Sequence, residues 1–200
     1  MSSTRTRHRL PRHLPSWFLS LLAVWVLLTC VVRASATGAL PAPGEYVVDP
    51  AGSAVTFNVT EFLVNTVRGK FSTFAGHVHV GDSLATSQIE AVVHVDSIDT
   101  GVHMRDQHLL APDYFDAARF PRMQFSSTMI WGTPDNFGIK GNLTIKGVTK
   151  EVVFSARILD TGVVVAETKI DRTNFGITAG GTIKNEVSLR LQIRMARAPQ

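Results

Sequence analysis

Period-two alternation of apolar and polar side chains governs what this chain can fold into. Ile89, Ala91, Val93 and Val95 interleave with Glu90, Val92, His94 and Asp96. Val187, Leu189, Leu191, Ile193 and Met195 interleave with Ser188, Arg190, Gln192 and Arg194. The same pattern runs through Val55-Phe57-Val59, Phe74-Gly76-Val78-Val80, Met123-Phe125-Ser127-Met129, Ile139-Gly141-Leu143-Ile145 and Val152-Phe154-Ala156-Ile158, followed by an apolar run over 163–166. Successive side chains of a strand point to opposite faces, so each run has one apolar face. Turn residues separate the runs: Gly81-Asp82, the stretch 132–136, Gly147, the stretch 160–162 and Gly180-Gly181. Strands joined by such short turns pair antiparallel. One stretch departs from the pattern. Residues 104–110 read as a short helix, stopped by Ala111-Pro112-Asp113, with a further turn at Tyr114-Phe115-Asp116.

About eight strands with one apolar face each leave two all-β architectures, a sandwich or an up-and-down barrel. A barrel of this size removes both sheet edges and has room for one small ligand. Arg190 and Arg194 opposite a Leu/Ile face fit a barrel with its apolar side inside, since a membrane-spanning barrel reverses the two faces. Alternation alone does not say which face is inside.

The first 36 of the 200 residues read as an address. Residues 1–13 are polar and arginine-rich, 14–32 carry no charge, and Ala34-Ser35-Ala36 supplies a small-residue cleavage site. That is a secretory signal layout, and an uncleaved N-terminal anchor is the other reading of it. Either places the domain outside the cytoplasm, secreted or in the cell envelope. Residues 37–44, with two prolines and two glycines, form a linker. The domain itself is expected over 45–197. The net charge of +4 comes from the address: residues 1–36 hold five arginines and no acid, and the remainder holds fifteen basic and sixteen acidic residues, a net of −1. Nothing basic is left in the domain to bind nucleic acid. The lone cysteine, Cys30, also lies in the address, so a chain from residue 37 has no disulfide, thiolate ligand or cysteine nucleophile.

His77 and His79 share one strand face, and with His94 or a carboxylate they are the one arrangement that approaches a zinc site. They fall on the polar register, so solvent-facing histidines are the better reading and no metal is expected. Ser97, Asp106 and His108 have the residue types of a hydrolase triad, but the chain has no Gly-x-Ser-x-Gly nucleophile elbow. The plainer reading gives Asp99 a turn-capping role, sets Asp106 with Arg105 on a helix surface or in a closing salt bridge, and has Asp171-Arg172 tie down a loop.

A series of blocks resembles the YceI-like family of lipocalin-like, polyisoprenoid-binding proteins. In order they are Val48-Asp49-Pro50 with Ser53 and Phe57; Val67-Arg68-Gly69-Lys70-Phe71 with Phe74 and Gly76; Ser97-Ile98-Asp99-Thr100-Gly101; Arg105-Asp106-Gln107-His108-Leu109; Tyr114-Phe115-Asp116; Phe120-Pro121 leading to Phe125-Ser126-Ser127-Thr128; the stretch 141–150; and Ile170-Asp171-Arg172-Thr173-Asn174-Phe175-Gly176. The resemblance covers about Tyr46 to Ala196, and the arginine-rich leader is its least typical part. It implies an elongated antiparallel β-barrel of about eight strands around an apolar tunnel for a long isoprenoid or acyl chain. Such a ligand offers no hydrogen bonds, so its affinity must come from buried apolar area.

On the inward faces, the residues expected to line the tunnel are Phe57, Val59, Phe71, Val78, Val93, Met123, Phe125, Leu143, Phe154, Leu189 and Leu191, with Leu109 and Phe115 covering one end. The expectation is an exported binding protein, without cofactor or catalysis, that serves lipid storage, transport or envelope stress protection. Its lipid would come from a nearby membrane, and a homodimer is open to it. The alternatives are a structural or interaction barrel filled by its own side chains, and an envelope hydrolase.

Overall fold

A computed structural model describes residues 38–62 and 65–199. The signal or anchor reading of 1–36, with Cys30, lies outside the described residues. Twelve strand segments form one antiparallel sheet: β1 (Gly44–Val48), β2 (Ala54–Glu61), β3 (Asn65–Phe71), β4 (Phe74–Val80), β5 (Gln88–His94), β6 (Ile98–Asp99), β7 (Arg122–Thr133), β8 (Asn136–Ile145), β9 (Val148–Ile158), β10 (Val164–Asp171), β11 (Ile183–Ile193) and β12 (Met195–Arg197). The one α-helix among the described residues, α1, spans His103–Leu109.

The count of twelve against an expected eight has a simple cause. Four strands are kinked, and each is broken into two segments. A short 3-10 turn at Pro50–Gly52 separates β1 from β2, with the Asp49 carboxylate accepting from Ala51 N. Ser72 and Thr73 separate β3 from β4, a turn at Val95–Ser97 separates β5 from β6, and Arg194 separates β11 from β12. Rejoined across these kinks, the segments make eight strands, and the ladder closes. The last strand pairs with the first in both halves, Leu189 opposite Phe57 and Met195 opposite Val48. Arg194 bridges the kink: its carbonyl accepts from Asp49 N and its own N–H donates to Ser53 Oγ. This closure makes the fold an up-and-down barrel and removes the sandwich alternative.

The inner face is the apolar one. Val78, Leu143, Phe154 and Ile170 are buried, whereas Lys70–Asp99, Lys140–Glu151, Lys169–Glu186 and Arg190–Glu167 pair across neighbouring strands on the outer wall. That is the reverse of a lipid-facing barrel wall. In one place the alternation misleads. Met129 was expected on the apolar face with Met123 and Phe125, but it is 57% exposed and its neighbour Ile130 is 3% exposed. A bulge between Ser127 and Met129 shifts the register of β7 against β8. One extra residue turns every later side chain to the other face. Ser127 fills the gap by accepting from Ile89 N at 2.8 Å.

Because the strands run up and down, the connections sort to two ends. The β2–β3 hairpin, the 100–121 segment with α1, the Lys146-Gly147 turn and the 172–182 loop share one end, called the helical end below. Lys146 binds this end together, its ammonium donating to Pro112 O at 2.7 Å and to Gly176 O at 3.2 Å. Phe71, Val95, Ile98, Met123, Ile145, Phe175 and Ile177 form the apolar cluster at the helical end. Ile130, Phe137, Ile139, Phe154 and Ile158 form a second cluster towards the opposite end, beside a third of Tyr46, Val78 and Val80.

Candidate functional site

The barrel interior is not filled by its own side chains. A cavity of about 310 Å³ runs inside it. Phe57 and Val59 from β2, Phe71 from β3, Val78 from β4 and Val93 from β5 lie on its wall. So do Met123 and Phe125 from β7, Leu143 from β8, Phe154 from β9, and Leu189 and Leu191 from β11, with Leu109 and Phe115 at the helical end. The barrel thus gathers every lining residue read from the sequence around one space.

The large aromatic side chains could have closed this space, and their packing explains why they do not. They pair with one another along the wall: Phe57 with Phe71 (5.6 Å between centroids), Phe71 edge-on to Phe115 (6.2 Å) and Phe125 edge-on to Phe154 (5.5 Å). Glycines on facing strands receive two of the rings. Phe57 lies over Gly69, where a Cβ would stand 2.2 Å from its Cζ, and Phe125 lies over Gly141, where the distance would be 2.5 Å. With no side chain at these positions, the far ends of the rings take the space a Cβ would fill and leave the lumen open.

A polar cluster on the wall, not read as a site from the sequence, sits at the helical end: Glu61, Thr100, Arg105, Tyr114 and Arg172, while Thr56, Ser87, Glu90 and Gln124 border the cavity elsewhere. Arg172 is buried and has no carboxylate partner among the described residues. Its Nε donates to Lys184 O (3.2 Å), Nη1 to Ile177 O (2.8 Å) and Ala179 O (2.6 Å), and Nη2 to Gly180 O (3.2 Å) and Ile183 O (3.0 Å). All five N–H groups are thereby matched, which a buried guanidinium requires. Asp171 beside it caps the same turn: its Oδ1 accepts from Thr173 Oγ1 and Thr173 N, and these bonds hold its carboxyl below the usual carboxylate range. Asp99 does the same for Gly101 N at 2.8 Å, and this bond, with help from Lys70, lowers its pKa.

Of the two readings for Asp106 and Arg105, a helix surface or a closing salt bridge, both side chains lie on α1 and among the described residues they form no salt bridge with each other. Both turn to Thr100: Asp106 Oδ1 accepts from Thr100 N (2.9 Å) and Thr100 Oγ1 (2.5 Å), while Arg105 donates from Nε to Thr100 Oγ1 and from Nη2 to Thr100 O. The helix is only seven residues long, and Thr100, just before it, is the nearest group able to take both. Ser97 donates to His94 O at 2.7 Å, so among the described residues no hydrogen bond joins Ser97, Asp106 and His108. His79 pairs with Glu45 at 2.5 Å on the outer wall, and among the described residues no three His, Cys, Asp or Glu side chains converge on a metal-sized site.

A closed β-barrel around a mostly apolar cavity, with a few polar groups at one end, defines a small-molecule binding barrel of the lipocalin-like type. The YceI-like domain model matches residues 46–195, and the chain belongs to the YceI-like family. It is 27% identical over 176 residues to a UPF0312 protein of Vibrio vulnificus, covering 82% of this chain and 90% of that protein. It is 29% identical over 162 residues to protein YceI of Salmonella newport, covering 74% and 85%. Among solved structures, Burkholderia cenocepacia BcnA superposes with a TM-score of 0.69 at 24% identity, over 74% of this chain and 99% of that one. A polyisoprenoid binding domain from Saccharophagus degradans superposes with a TM-score of 0.60 at 14% identity, over 77% and 98%. At these identities the superpositions establish the shared barrel.

Proposed function

We propose that this chain is an exported carrier that holds a long-chain isoprenoid, or a lipid of similar shape, inside its barrel and does no chemistry on it. The observation that carries this reading is the cavity of about 310 Å³ walled by Phe, Leu, Val, Ile and Met side chains from nearly every strand. Such a wall has little to offer a polar metabolite and much to offer a hydrocarbon, at ~25 cal/mol per Å² of apolar surface covered. The polyisoprenoid binding domain that shares the fold supports the ligand class. The separate engagements of Ser97, Asp106 and His108 favour carriage over hydrolysis. The arginine-rich leader with its Ala34-Ser35-Ala36 site directs the domain to the envelope or beyond, where it collects its lipid from a membrane. Storage, transport and protection of the envelope under stress are the services such a carrier performs, and a homodimer is compatible with each.

Native mass spectrometry of the chain purified from its own envelope, followed by organic extraction, tests the proposal. A co-purifying species of isoprenoid mass is the expected result. A clean lipid-free mass, with no uptake of added polyprenyl lipid, overturns it.

A further inference from the structure

Residues 38–43, expected as a linker, do not run free of the barrel. Gly38 is buried at the last residues of β9, where the backbone at Ile158 and Leu159 leaves no room for a Cβ. Gly44 then opens β1 opposite Val80 of β4. In the closed ladder β9 and β1 are separated by β10 and the β11–β12 strand, so the segment reaches from one side of the barrel to the other at the end away from α1. Leu40 crosses the opening instead of following its rim. Its side chain packs against the cluster of Ile158 and Ala166 and also against that of Tyr46, Val78 and Val80. Leu40 and Pro41 border the cavity, whereas Ala39, Ala42 and Pro43 are exposed, so this short irregular stretch has an inner and an outer face. The Tyr46 hydroxyl holds it in place by donating to Ala42 O at 2.8 Å. Pro41 and Pro43 stiffen it and bring no N–H that would need a partner at the rim.

A hydrocarbon tail in an apolar tunnel gains affinity with every carbon it buries. Where the tunnel is open at its far end, a longer tail protrudes and loses nothing. Where a side chain closes that end, a longer tail must expel it or fold back, and both oppose binding. We propose that Leu40 and Pro41 are the floor of the lipid cavity, and that this strap from the chain's own N-terminal segment sets the longest hydrocarbon the barrel accepts. The inference rests on the lipid-carrier reading above and deepens it from a class of ligand to a length.

The test offers the delipidated full chain an equimolar mixture of linear prenols in detergent micelles, from farnesol through geranylgeraniol and geranylfarnesol to solanesol. The bound fraction is extracted and its composition read by mass spectrometry, for the wild type, Leu40→Ala and Leu40→Phe. The wild-type profile is expected to end abruptly at one length. Leu40→Ala moves that limit to a longer prenol and raises the bound share of the first excluded one about tenfold, the order set by the apolar area that the trimmed side chain yields to the ligand. Leu40→Phe moves the limit to a shorter prenol, a shift that a merely loosened barrel does not produce. A wild type with no length limit, or one limit shared by all three proteins, overturns the floor and leaves the lipid carrier standing. An unchanged limit in folded Leu40→Phe overturns it even where Leu40→Ala fails to fold. A wild type that takes up no prenol overturns the carrier reading and this inference with it.

Discussion

At the scale of single residues, Arg172 is the most exacting side chain in the molecule. The 172–182 loop turns its carbonyls inward, and an inward carbonyl in an apolar barrel needs a donor. One guanidinium supplies five, in a fixed plane, to Ile177, Ala179, Gly180, Ile183 and Lys184. Arg172→Ala should therefore lower stability by about 3–5 kcal/mol, because it strands several buried acceptors at once. Arg172→Lys, with three donors on a flexible stem, should fall between Ala and the wild type. Urea unfolding followed by circular dichroism measures both, and a loss below about 1 kcal/mol for Arg172→Ala would show that water satisfies the loop just as well.

Among the elements, β2 and β3 show how strand pairing shapes the cavity. Phe57 stands opposite Gly69 in the ladder, and its ring occupies the place where a side chain at 69 would begin. Gly69→Ala should push that ring into the lumen, at a cost of about 1–3 kcal/mol from overpacking. It should also weaken uptake of geranylgeraniol. Adding Phe57→Leu should recover much of both losses, a coupling that a double-mutant cycle reads directly. If Gly69→Ala behaves as the wild type in stability and uptake, the ring does not define the wall.

The same elements mark the limit of what the sequence makes legible. The inward faces of β5, β8 and β9 are plain in the alternation, because about one residue in two is apolar along them, and so is that of β11 from Val187 on, past its register shift between Ile183 and Val187. The β7 face is lost past Ser127, where nothing in the local pattern announces an inserted residue. The four kinks are equally silent, since an apolar run such as Leu191-Ile193-Met195 reads as one strand while the backbone bends at Arg194. Glycines 69 and 141 register as weak strand positions, and their purpose is visible only when a facing ring is placed on them. The apolar lining could be read because burial leaves a periodic trace. The polar end could not, because Arg105, Thr100, Tyr114 and Arg172 are brought together by loop geometry, which leaves no period.

The barrel as a whole is asymmetric from end to end, and that asymmetry bears on how a lipid enters. Glu61, Thr100, Arg105, Tyr114 and Arg172 cluster at the helical end of the cavity, and among the described residues so do three exposed apolar side chains: Phe62 at the end of β2 (60% exposed), with Val102 and Met104 (48% and 82%) at the start of α1. Phe62 also adopts a left-handed backbone conformation, φ 49°, uncommon for a bulky residue. Exposed apolar side chains around one end of a lipid-binding cavity are suited to dip into a bilayer interface, where each gains from burial. If entry is at this end, Phe62→Ser with Met104→Ser should slow geranylgeraniol transfer from phospholipid vesicles about tenfold, the order expected from losing two partly buried contacts. Neither residue lines the cavity, so the equilibrium affinity for geranylgeraniol should change far less than the rate. Met129→Ser removes another exposed methionine (57%) from the barrel wall and should leave the transfer rate alone. Stopped-flow transfer from vesicles separates these cases. A rate that ignores the end substitutions, or responds as strongly to Met129→Ser, places lipid entry somewhere other than the helical end.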